Sequence, residues 1–101
     1  MSYALIRQAI LDRTCVSANY QGSRRHFAPH CIGLGKDRAE HVMGFQYAGG
    51  SSKGLPPGGQ WRCFRVADLS NVSCNSDSWQ SSPDHARPNT CVVQVDVQVA
   101  R

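Results

Sequence analysis

Residues 91–100 read CVVQVDVQVA and alternate more strictly than any other stretch of the chain. Cys91, Val93, Val95, Val97 and Val99 fall on one side of an extended backbone, and Val92, Gln94, Asp96 and Gln98 on the other. Valine is branched at Cβ, which costs it side-chain freedom in a helix and suits it to a pleated surface. The stretch therefore predicts a strand with its four alternate valines and Cys91 on one face. A strand needs neighbours, so the rest of the chain must supply a sheet.

Five further stretches do so. In CVSANYQG, Val16, Ala18 and Tyr20 oppose Ser17, Asn19 and Gln21 up to Gly22. GS is a short turn, and RRHFAPHCIGL returns as a second strand. Pro29 has no N–H for a ladder, so it marks an edge or a bulge. After the polar turn GKDR, AEHVMGFQYA is a third strand, with Gly44 a bulge or a close approach. WRCFRVA is the fourth, DLS a single turn and NVSCN the fifth. Only the start is helical: Ser2 is a good N-cap, and Leu5, Ile6, Ala9 and Ile10 form one stripe, predicting a helix over 3–13.

Two segments fit no regular element. Residues 49–60, GGSSKGLPPGGQ, hold five glycines and two prolines and are a linker or a functional loop. Residues 76–90 form a polar loop in which Trp79 is the one large apolar group, pinning it to the body. With 101 residues the chain forms one domain, 1–101, with a modest core. Short sequential strands with tight turns predict a mainly β fold: a small antiparallel barrel of five to six strands with one N-terminal α-helix over an open end or face.

A net charge of +4 favours an anionic partner, and 41% hydrophobic against 18% charged residues excludes a disordered chain. No apolar run approaches the ~20 residues of a membrane span. MSYALIRQAILDR carries Arg7 and Gln8 where a signal peptide would be apolar, so a cytoplasmic location is expected. Cys15, Cys31, Cys63, Cys74 and Cys91 then read as reduced thiols, since disulfides are rare in that compartment.

Chemistry narrows to arginines. In the fourth strand Trp61, Cys63 and Arg65 share one face, and Arg62, Phe64 and Val66 the other. Phe64 and Val66 are expected in the core. Arg62 then escapes near the barrel mouth, because an unpaired buried charge is costly, while Arg65 lies outside beside Trp61. Arg62 or Arg65, with Arg24 and Arg25, can clamp a phosphate or carboxylate through forked hydrogen bonds. The plainer reading pairs a strand-end arginine with Asp68 or Glu40. Tyr20, Arg24, Arg25 and Phe27 also suggest a stacking and phosphate surface on the first hairpin, or equally core plus a solvated turn.

Catalysis finds no footing. There is no Gly-x-Ser-x-Gly elbow, no supported carboxylate pair, and GGSSKG lacks phosphate-loop spacing. His26 and His30 are more than about 12 Å apart along a strand, and no Cys-x-x-Cys pair exists to complete a zinc site. A non-enzyme without metal or cofactor is expected.

The pattern LIRQAI, VSANYQG, RRHFAPHCIGL, VMGFQYAGG and WRCFRVADLSNV, in that order, resembles the WYL domain, a small SH3-like or Sm-like barrel. The resemblance spans 3–75. It rests on the opening helix, Tyr20–Gly22, Pro29, Gly44-Phe45, Arg62–Arg65 and Asp68-Leu69-Ser70; Glu40-His41-Val42 stands where the namesake triplet would be. It implies a regulatory domain of bacterial transcription factors that senses nucleotides or nucleic acid through a basic pocket. With no helix-turn-helix in this sequence, it also implies a DNA-binding protein as partner. Two functions are thus expected in turn. The first is a non-catalytic regulatory module for an anionic ligand, a nucleotide or single-stranded nucleic acid, held by Arg62, Arg65, Arg24, Arg25 and Trp61. The second is an interaction module, pairing its valine-rich sheet edge with a partner or as a homodimer.

Overall fold

A computed structural model describes residues 2–50, 59–79 and 91–99. The chain runs through α1 (Ser2–Asp12), β1 (Val16–Tyr20), β2 (Ser23–Leu34), β3 (Glu40–Gly49), β4 (Gln60–Arg65), a 3-10 turn (Val66–Asp68), β5 (Ser70–Cys74) and β6 (Gln94–Gln98). Every ladder is antiparallel, and one sheet takes all six strands in the order β4-β3-β2-β1-β5, with β6 also on β2. The mainly β class with an N-terminal helix holds. The sheet is not closed into the expected barrel: β4 and β5 are its two ends, and no ladder joins them among the described residues. The expectations for the middle of the 49–60 segment and for 80–90 fall outside the described residues.

The helix forms where the apolar stripe lies and buries Ile6, Ala9 and Ile10. It ends at Arg13, whose φ of 53° is left-handed. Thr14 N–H reaches back to Ala9 C=O at 2.9 Å and Arg13 N–H to Ile10 C=O at 3.3 Å, satisfying two carbonyls of the last turn. The β1–β2 hairpin turns one residue earlier than the sequence suggested. Tyr20 pairs with Ser23, and Gln21 and Gly22 have φ of 50° and 79°. Two left-handed residues in a two-residue loop match the twist of the flanking strands, and Gly22 adopts that conformation without steric cost.

β2 is the central strand, so Pro29 is not at an edge. Two features make it tolerable there. On one side β1 takes 23–27 and β6 takes 31–34, leaving Pro29 between them. On the other, the β2–β3 register shifts between Pro29 and Cys31, the bulge the missing N–H called for. Gly44 lies opposite Pro29, and a Cβ there would meet Phe27 Cδ2 at 2.8 Å and Ala28 O at 3.0 Å. Its lack of a side chain is what lets Phe27 fill the core.

That core lies between α1 and the inner face of the sheet. Phe27 stacks on Phe64 with ring centroids 4.6 Å apart, and Tyr20 meets Phe64 edge-on at 5.0 Å. Such pairs add about 0.5–1.5 kcal/mol beyond the area they bury. Ile6, Ile10, Val16, Ile32, Val42, Val66 and Leu69 complete it. Phe64 and Val66 are thus buried as expected.

The last strand departs from its pattern. Ile32 pairs with Val97 but Gly33 with Val95, so one step along β2 meets two along β6. The extra residue flips the side-chain parity. Val97 is buried and Val99 packs on the core, but Val93 and Val95 are exposed and Val92 is buried in their place. A clean period of two thus hid a bulge.

Candidate anion site

Consecutive residues of β2 and β4 point to opposite faces, and this splits the predicted arginine cluster in two. Arg25 and Arg62 lie on the inner face; Arg24 and Arg65 do not join them.

Arg24 is exposed and ties strands together. Its guanidinium donates to Asn71 C=O at 2.8 Å, Asn19 Oδ1 at 3.2 Å and Ser73 Oγ at 3.5 Å. It also borders an open polar groove of about 450 Å³ with Asn19, Gln21, Asp68 and Ser70. Arg65 is half exposed and pairs with Asp37 at 3.6 Å, rather than with Asp68, Glu40 or the Trp61 ring. The Ala39 N–H, His41 and Arg65 hold the Asp37 carboxyl below its ordinary range.

Trp61 lies opposite Phe45 on the outer face, meeting it edge-on at 5.4 Å and His30 at 4.6 Å. Trp79 also meets His30, at 4.8 Å, so the described start of its segment, 76–79, is anchored to the body. Trp61 therefore belongs to an aromatic cluster away from Arg25. The hairpin surface of Tyr20, Arg24, Arg25 and Phe27 does not form either, because Phe27 and Arg25 are fully buried while Arg24 faces out.

Arg25 is the unusual residue. It is 0% exposed, among the largest fully buried side chains. Its guanidinium sits 5.3 Å from the Tyr20 ring centre, donates to Tyr20 C=O at 3.2 Å, and reaches Gln46 Oε1 at 3.5 Å. Gln46 is itself buried. Its amide nitrogen donates to Gly50 C=O at 2.8 Å and Ala48 C=O at 3.1 Å, which turns its oxygen towards Arg25. These dipoles compensate the charge only in part. Arg25 Nε has no acceptor, and among the described residues no carboxylate lies within ion-pair distance.

Arg62 approaches from β4. It stands opposite Gly44, next to the Gln46–Gln60 pair, and is half-buried. Burial and then the Arg62 charge push the Arg25 pKa below that of an ordinary arginine. Two guanidinium groups bearing on one low-dielectric spot favour any anion that reaches it. The sequence put both residues in one clamp with Arg24 and Arg65 but could not say which of the four share a face, since they lie on strands separated by β3.

The outer face carries a polar network the sequence did not suggest. Ser17 Oγ lies 2.7 Å from His26 Nδ1 and accepts from Asn75 Nδ2 at 2.8 Å. Tyr47 donates to Asp77 at 2.6 Å, and burial followed by that bond raises its pKa far above the ordinary tyrosine value. Among the described residues no three His, Cys, Asp or Glu side chains gather as metal ligands. No helix among them is long and apolar enough to cross a membrane.

The cysteines correct the expectation of five reduced thiols. Cys63 and Cys91 form a disulfide with Cα atoms 6.2 Å apart, while Cys15 and Cys31 are buried thiols and Cys74 an exposed one. Cys63 points outward from β4, where the returning tail brings Cys91 beside it. Spacing in sequence did not suggest that meeting.

Fold and site together define a mainly β chain with a fully buried Arg25 and a half-buried Arg62 on the same face of its sheet. Comparison with protein-family models, with curated proteins and with solved structures gave no match.

Proposed function

We propose that the chain is a non-catalytic binding module for an anionic ligand, a nucleotide or single-stranded nucleic acid, with Arg25 and Arg62 holding the anion. One observation carries the reading: a fully buried Arg25 whose Nε lacks an acceptor. An arginine stays charged even when its pKa is lowered, so this cation is desolvated with no opposite charge among the described residues. Protein folds meet that cost by pairing the ion; here the partner is best supplied from outside. Of the five residues the sequence offered, Arg25 and Arg62 remain at the site, and Arg24, Arg65 and Trp61 serve the scaffold.

The same reading takes the curled sheet as an SH3-like, WYL-like barrel opened between β4 and β5. It is supported by the unbroken hairpin order from β1 to β4 and by the three-residue turn that brings β5 back to β1. A role in transcription then draws its DNA-binding element from outside these 101 residues.

The test is Arg25→Met with inorganic phosphate and nucleotides as probes. Methionine keeps most of the volume and removes the buried charge. The expected variant folds at least as stably as the parent and no longer binds. A variant that binds unchanged ends the proposal; so does one that unfolds, because Arg25 would then be a structural residue.

A second reading has its own observation. Val93 and Val95 are about half exposed along β6, and β6 has a ladder on one side alone among the described residues. That edge suits pairing with a partner or a second copy. Light scattering decides: concentration-dependent dimers lost in Val95→Lys support it, and a strict monomer removes self-association.

A further inference from the structure

We propose that the Cys63–Cys91 disulfide is a reversible staple that controls whether β6 stays docked on the sheet. The proposal is independent of the anion site.

β6 is a short strand of five residues added to the free side of β2. It meets β2 at four positions, Cys31 to Leu34, through a ladder broken by a bulge. Val97 is its buried side chain, and Val93 N–H and Val99 N–H bond to Leu34 and His30 carbonyls at 2.9 and 2.7 Å. On the helix side, Asp96 accepts from Tyr3 at 2.7 Å and from Arg7 at 3.1 Å, both exposed contacts. Exposed pairs of this kind contribute little in water. The segment is the last to join the sheet, and its covalent link goes to β4, two strands away from its ladder partner. The link restricts how far 91–99 can leave without touching the β1–β2–β3 ladders.

The link is also accessible. Cys63 is exposed and Cys91 half-buried, and exposed disulfides are the ones that exchange with solution thiols. Cys15 and Cys31 are buried and out of reach. In oxidation the Cys63 thiolate attacks a small-molecule disulfide of the glutathione type, forming a mixed disulfide and releasing one thiolate. The Cys91 thiolate then attacks Cys63 sulfur, closing the protein disulfide and releasing the second. The two protons end on the two released thiols, so one disulfide is consumed for each made. Excess thiol drives the reverse. Reduction leaves β6 with its four-position ladder, the buried Val92 and Val97 and the exposed Asp96 clasp but no covalent tie, so β6 opens more often and bares the 31–34 edge of β2.

Amide hydrogen exchange of the full chain in oxidised glutathione and in dithiothreitol tests this. On reduction, the bonded amides of 31–34 and 93–99 are expected to exchange on the order of 100-fold faster, the scale of a lost loop constraint. Amides of 16–18 and 42–45 should change less than about threefold. Iodoacetamide should label Cys63 only after reduction. Three results overturn the proposal: equal exchange in both conditions, loss of protection throughout the sheet, or Cys63 labelled in oxidised glutathione. Cys63→Ser should match the reduced parent in both buffers; protection equal to the oxidised parent also overturns it.

Discussion

Arg24 and Arg25 are neighbours in β2 and live in opposite surroundings. Arg24 faces water and donates to three oxygens around β5. Arg25 is sealed against Tyr20 and Gln46 with one N–H left over. Arg65 and Arg62 repeat the contrast in β4, one on Asp37 and one on the same face of the sheet as Arg25. A strand sends successive side chains to opposite faces, so sequence neighbours become chemical strangers and distant residues meet. On the outer face a guanidinium has carbonyls and carboxylates to choose from. On the inner face Arg25 has, among the described residues, only dipoles. The same side chain is a strand clasp in one place and, in the proposed reading, an anion holder in the other.

The two faces should answer substitution differently. The largest effect belongs to the inner face: Phe64→Ala removes the ring shared by Phe27 and Tyr20, and chemical denaturation should show a loss of about 3–5 kcal/mol. Gly44→Ala comes next, because its Cβ would press on Phe27 and the Ala28 carbonyl; about 1–3 kcal/mol should be lost. The arginines then separate by sign. Arg25→Met should raise the denaturation midpoint, by roughly 1–2 kcal/mol, since it removes an unpaired buried charge. Arg24→Met should lower it by about 0.5–1 kcal/mol through lost hydrogen bonds. Equal signs would break the comparison.

The smallest effect lies at the β6 clasp and is read with pH. The Tyr3 hydroxyl and then Arg7 hold the Asp96 carboxyl below its ordinary range. A depressed folded pKa stabilises above the unfolded value, near 3.9. That contribution is lost as pH falls through the folded pKa. Burial and the bond to Asp96 push Tyr3 up to about 12. A raised folded pKa stabilises fully below the unfolded value, near 10. That share is lost as pH rises from there through the folded value. Chemical shifts of 94–98 should therefore be constant between these limits and move at both ends, and Asp96→Asn should abolish the acid limb.

Much of the fold was legible. The helix stripe, five of the strand positions, Gly44 as a close approach and Phe64 and Val66 as core follow from period, branching and the limits of glycine and proline. What was hidden depended on counting across strands. A single bulge at β6 split the one face their alternation gave, leaving Val93 and Val95 outside and Val97 inside, and another let Pro29 occupy the central strand. The disulfide and the Arg25–Arg62 pair join residues 28 and 37 positions apart, and alternation along one strand says nothing of its neighbour. Arg25 was named as a candidate, but for an exposed cluster; its burial is the property that makes it a candidate now.

The central claim concerns which arginines meet the anion. Binding of a short single-stranded oligonucleotide and of inorganic phosphate should be measured by calorimetry at two salt concentrations, for the parent, Arg62→Ala and Arg65→Ala. The account expects affinity that weakens with salt, falls at least tenfold in Arg62→Ala and is kept in Arg65→Ala; that tenfold is about 1.4 kcal/mol. No binding at low salt, or equal losses in the two variants, would contradict it.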